Sequence, residues 1–100
     1  MDKYDVKISP KAFQDLDEIY SYIVKELQAS ETALKLVKEI EDAILSLDIF
    51  PYRGSDRKIG KFANKGYKQI FVKNYTILYR INEPQKQVVV ITIRYSSSNF

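Results

Sequence analysis

The chain of 100 residues contains no cysteine and no histidine. Without cysteine, neither disulfides nor thiolate metal sites can hold the fold. Without histidine, the commonest zinc ligand and the usual acid–base side chain are both missing. A metal would have to be held by carboxylates alone, and none cluster at ligand spacing, so no metal or cofactor is expected. Glycine and proline number only three each, which argues against disorder over most of the chain. No apolar run approaches the roughly 20 residues of a membrane span. Met1-Asp2-Lys3-Tyr4-Asp5 does not resemble a signal peptide, so a cytoplasmic protein is expected. A phosphate loop is also missing: Gly54, Gly60 and Gly66 are evenly spaced but precede no helix, and they read as loop turns.

What is present is an uneven distribution of charge. Residues 1–52 carry six lysines against eleven carboxylates, a net −5, whereas residues 53–100 carry ten Lys/Arg against Asp56 and Glu83, a net +8. Arg53, Arg57, Lys58, Lys61, Lys65, Lys68 and Lys73 fall within one short stretch, which points to an anionic partner. Arg53, Arg57, Lys58, Lys61 and Lys65 are the candidate RNA-binding residues.

Hydrophobic spacing predicts one α+β domain over 1–100, in the order β-α-α-β-β-β. Tyr4, Val6 and Ile8 alternate as a short strand. Ser9-Pro10 suits an N-cap followed by proline at the first helical position. Phe13, Leu16, Ile19 or Tyr20, Ile23 and Leu27 mark a helix over 10–27, with Asp15, Asp17 and Glu18 near its favourable N-terminal end. Ser30 is a second N-cap candidate before a stripe of Ala33, Val37, Ile40, Ile44 and Leu47. The short link makes the two helices an antiparallel hairpin, and Phe50-Pro51 stops the second. A basic loop over 52–66 leads into three strands: 67–72, then 75–81 after a Lys73-Asn74 turn, then 88–93. They form an antiparallel meander packed on the hairpin. The tail Ser96-Ser97-Ser98-Asn99-Phe100 is expected to fray unless Phe100 docks.

Lys68, Arg94 and Tyr95, at or near strand ends beside the basic loop, are the residues that could carry chemistry. Were they to converge on the exposed sheet face, they would make a cationic groove with an aromatic edge, suited to single-stranded RNA. Tyr20, Tyr22, Tyr75 and Tyr79 read as core or rim packing, and Tyr52, Tyr67 and Tyr95 as binding candidates.

Several segments together resemble the RelE/ParE superfamily of bacterial type II toxin–antitoxin toxins. They are Ile8-Ser9-Pro10-Lys11-Ala12, Leu16 to Ile23, Phe50-Pro51-Tyr52-Arg53-Gly54, Gly66-Tyr67-Lys68, Tyr75 to Ile81 and Val88 to Tyr95. The resemblance implies a RelE-like fold and a cognate antitoxin that wraps it. RelE-type members cut messenger RNA on the ribosome, using the ribose 2′-hydroxyl. ParE-type members instead inhibit DNA gyrase without nuclease activity. The resemblance implies an mRNA interferase with ribosome and mRNA as partners, through Lys68, Arg94 and Tyr95. The alternatives are a gyrase inhibitor, suggested by the Phe50–Gly54 segment and the long hairpin, and an inactive antitoxin-binding relic, suggested by Ser96-Ser97-Ser98.

Overall fold

The structure is a computed structural model that describes residues 3–98 and 100. Strand β1, Asp5–Ile8, feeds helix α1, Pro10–Glu26, through Ser9. The Ser9 hydroxyl accepts from the Ala12 N–H at 3.1 Å and donates to the Ile91 carbonyl at 2.9 Å. One side chain therefore caps the helix and ties its start to the last strand. Helix α1 buries Ala12, Asp15, Leu16 and Ile23, and α2, Ser30–Leu45, buries Ala33, Ile40 and Ile44. Both stripes follow the three- and four-residue spacing of an amphipathic helix.

Two helix-end expectations change. Ala29 is the N-cap of α2, so Ser30 is already inside the helix. Gln28, at φ 51°, turns the chain and leaves the cap one residue early. Asp15, Asp17 and Glu18 lie beyond the first turn of α1, which holds no acidic residue. They gain little from the helix dipole there, and Asp15 is buried for another reason.

After α2 the chain tightens into two 3₁₀ turns, Ser46–Asp48 and Pro51–Arg53, burying Leu47 and Pro51. Four strands follow: β2, Ser55–Asp56; β3, Lys68–Val72; β4, Tyr75–Asn82; and β5, Gln87–Tyr95. The sheet order is β1-β5-β4-β3-β2. The expected hairpin-on-meander architecture holds, with two additions. β1 pairs parallel to β5, so the sheet is mixed, and two residues of the basic loop add an antiparallel edge beside β3.

The helices cover one face of the sheet. Ile70 of β3, Ile77 and Tyr79 of β4, and Val88, Val90 and Ile93 of β5 pack there with Leu16, Ile40, Ile44 and Leu47. Each large apolar side chain buried this way contributes about 1.5–3 kcal/mol. A β-bulge keeps β5 in phase with this face: Tyr79 opposes Val90 while Leu78 opposes Thr92, leaving Ile91 as the extra residue. Without it, Ile93 would point away from the helices. Of the tail, Asn99 lies outside the described residues, whereas Phe100 docks on the other face of the sheet at only 6% exposure.

Candidate functional site

Lys68 begins β3 and stands two residues before the core residue Ile70, so alternation puts it on the helix side of the sheet. Its ammonium donates to Asp56 of β2 at 2.9 Å and lies 5.7 Å from the centre of the Tyr52 ring. That ammonium, helped further by Lys58, lowers the Asp56 carboxyl below its ordinary range. Lys68 is thus a neutralised cation at the β2 edge.

Arg94 pairs with Thr76 and faces the opposite side. Its Nε donates to the Thr92 hydroxyl at 3.1 Å, and its guanidinium lies 5.4 Å from the Phe100 ring centre. The expected convergence of Lys68, Arg94 and Tyr95 on one face is therefore not formed. The reason is register. Lys68 opposes Tyr79, which opposes Val90, while Arg94 lies four residues further along β5 and past the bulge.

Arg94 belongs to a different constellation. Thr92 hydrogen-bonds Asp15 of α1, whose carboxylate also accepts from the Ile93 N–H at 3.0 Å and from Lys11. Pairing between β1 and β5 stops at Ile8 and Val90, so Asp15 satisfies the open edge of β5 just beyond that point. Burial pushes the Asp15 carboxyl up, but Lys11, the Thr92 hydroxyl and the Ile93 amide outweigh it and leave it below its ordinary value. Asp15 could be read in the sequence: it lies three residues after Ala12 and four before Ile19, in phase with the buried stripe. A carboxylate there demands donors. Tyr95, 47% exposed, stacks edge-on against Tyr75 at 5.6 Å. Tyr95, Arg94, Lys11, Asp15 and Tyr22 border a hollow of about 690 Å³ between α1 and the end of β5.

Of the basic-loop candidates, Arg53, Lys58, Lys61 and Lys65 are exposed, whereas Arg57 is 5% exposed. Arg57 is a structural cation, holding Gln69, Ile59 and Phe100. Tyr67 packs edge-on against Phe62 at 5.1 Å. Tyr52 reaches Glu83, which also accepts from Tyr4 at 2.7 Å and from Lys86. These donors, Lys86 first, lower the Glu83 carboxyl to about 2, and the carboxylate in turn raises both phenols. Sequence spacing gives no hint of this clasp, because its members are 31 and 79 residues apart.

The Phe50–Gly54 segment is held by Tyr79. This fully buried phenol donates to the Pro51 carbonyl at 2.6 Å and accepts from the Gly54 N–H at 3.1 Å. A Cβ on Gly54 would sit 2.4 Å from the Tyr79 oxygen, so only glycine fits.

A model of the ParE toxin of the type II toxin–antitoxin system parDE matches residues 6–100. The chain belongs to the ParE toxin family. Among solved structures, it is similar to a chain of the chromosomal ParDE system from P. aeruginosa, with 24% identity, a TM-score of 0.76, and 93% of this chain and 96% of that one covered. It is also similar to a chain of the RelBE2 toxin–antitoxin complex from Mycobacterium tuberculosis, with 21% identity, a TM-score of 0.64, and 98% and 97% covered. A YoeB/ParE toxin from Agrobacterium tumefaciens matches at 18% identity and a TM-score of 0.62, with 91% and 96% covered. At these identities the structural matches establish the RelE/ParE-like fold. No curated protein sequence gives a significant match. Among the described residues of this ParE-family toxin, no helix is long and apolar enough to cross a membrane.

Proposed function

We propose that this ParE-family toxin acts in the cytoplasm by binding, as a gyrase inhibitor without nuclease activity, and that a cognate antitoxin neutralises it. The carrying observation is that Lys68 and Arg94 lie on opposite sides of the sheet. Cutting a phosphodiester requires cations and proton-transfer groups positioned on one reacting phosphate. Here Lys68 is engaged by Asp56, and Arg94 by Thr92 and Phe100. The ParE family match favours the same reading. The antitoxin partner is supported by the ParDE and RelBE2 relatives. Exposed Phe13 and Leu34 on the hairpin offer apolar surface for such a partner. The test is supercoiling of relaxed plasmid by purified DNA gyrase in the presence of the chain. Inhibition is expected, and undisturbed supercoiling at excess toxin contradicts the reading.

One observation favours a second reading, the ribosome-dependent mRNA interferase. Arg94 and Tyr95 border the same hollow as Lys11, which would place two cations and a phenol about one phosphate. On that reading, expression without antitoxin cleaves messages in the ribosomal A site, and Arg94→Ala abolishes the cuts. Whole messages during full growth arrest would exclude it.

A further inference from the structure

The basic loop is not a floppy excursion. At its mouth the Arg57 N–H donates to the Tyr67 carbonyl at 2.9 Å, and the Asn64 N–H donates to the Arg57 carbonyl at 3.0 Å. The buried Arg57 side chain then fastens the loop to the sheet and the tail. Nε donates to the Ile59 carbonyl at 3.0 Å, Nη1 to Gln69 at 3.0 Å and Nη2 to the Phe100 main-chain oxygen at 2.8 Å. Its guanidinium also lies 4.1 Å from the Phe100 ring centre. Burying a cation is costly, and these oxygens and the ring face compensate for it. Gly60, at φ 76°, lies against Phe100 so closely that a Cβ would fall 1.7 Å from the Phe100 oxygen.

This pinning fixes the frame from which Lys58, Lys61 and Lys65 project into solvent. Arg80 is exposed nearby, its guanidinium 5.7 Å from the Tyr67 ring centre. From Arg57 to Asn82 the sequence holds seven Lys/Arg and no carboxylate at all. Of these cations, Lys68 is met by Asp56 and Lys73 by Glu39, and Arg57 is buried. Among the described residues, Lys58 (which Asp56 also attracts), Lys61, Lys65 and Arg80 stay exposed on and beside the loop.

We propose that this pinned loop grips the sugar–phosphate backbone of duplex DNA, independently of base sequence and of gyrase. Lysines bind phosphate as point charges, and contacts to phosphate carry no base readout. A single strand would need rings on which bases stack. The two rings of the loop itself are half-buried and packed: Phe62 and Tyr67 lie edge-on to each other, and Arg80 lies by the Tyr67 ring. Duplex DNA presents a regular phosphate lattice that needs no stacking partner.

The chain alone, without gyrase, tests this, so failure here is separable from failure of the target reading. Fluorescence anisotropy with a labelled mixed-sequence duplex is run across a salt series, with single-stranded RNA and a polyglutamate peptide as comparators. Duplex binding is expected to fall with salt at a log–log slope of about −3, as three or four phosphate contacts require. The triple variant K58Q/K61Q/K65Q, folded by circular dichroism, should bind at least about tenfold more weakly with a flatter slope. Phe100→Ala, if folded, should also weaken binding by releasing the loop. The proposal is overturned if the triple variant binds duplex as well as the parent chain. A preference for single-stranded RNA or polyglutamate over duplex overturns it as well. Unchanged binding by folded Phe100→Ala overturns the role given to pinning.

Discussion

The fully buried Tyr79 hydroxyl serves two main-chain groups, so its removal takes this partner from both the Pro51 carbonyl and the Gly54 N–H. Tyr79→Phe should therefore destabilise the fold by about 1–3 kcal/mol, seen as a lower urea midpoint at unchanged m-value. An unaltered midpoint would mean the phenol is dispensable. Two of the three depressed carboxylates make a pH prediction. Glu83 sits at about 2 against an ordinary 4.5, and Asp15 lies below its ordinary 3.8. A carboxyl depressed in the folded state contributes stability that is fully present above its unfolded value and is lost as pH falls toward its folded value. Thermal stability should thus decline as pH drops from about 4.5 towards 2. The Glu83→Gln and Asp15→Asn variants together should flatten that decline, as followed by melting at a series of pH values. Equal slopes in parent and variant would show that neither carboxylate matters.

At the scale of elements, the helices were legible and the sheet only partly so. Ser9-Pro10 and the stripes through Leu16, Ile23, Ile40 and Ile44 carry their own period, so α1 and α2 end within about two residues of where the pattern places them. The run Val88 to Ile93 is different. Apolar at every position but Thr92, it does not reveal that the core face passes from Val90 to Ile93 across the bulge at Ile91. Its parallel pairing with β1, which precedes it by 82 residues at Asp5 and Gln87, is a tertiary fact that no local spacing encodes. The candidate site suffered for the same reason: Lys68 and Arg94 look equivalent as strand-end cations until register assigns them to opposite faces. The β3–β4 turn offers a direct check on local chemistry. Lys73 holds φ 54°, a left-handed conformation that strains a side-chain-bearing residue, and its pairing with Glu39 is long at 3.9 Å. Lys73→Gly should raise stability by about 0.5–1 kcal/mol, because glycine enters this region without a Cβ penalty. A lower melting temperature would show that the Glu39 pair outweighs the strain.

Over the whole molecule the sheet divides two chemistries. One face is packed by the acidic helical hairpin, and the other carries Arg57, Arg94 and the docked Phe100 beside the basic loop. The division keeps most of the negative and positive charge of the two halves apart, Lys73 with Glu39 excepted, and leaves an exposed positive surface after folding. It also separates Lys68 from Arg94, which favours the proposed reading of a toxin that acts by contact. The most direct test of that account is a supercoiling assay with purified DNA gyrase, relaxed plasmid and increasing amounts of this chain. The account predicts progressive loss of supercoiled product, with Lys68→Ala leaving inhibition intact because Lys68 is engaged by Asp56 and the Tyr52 ring. Full supercoiling at a large excess of toxin would contradict it.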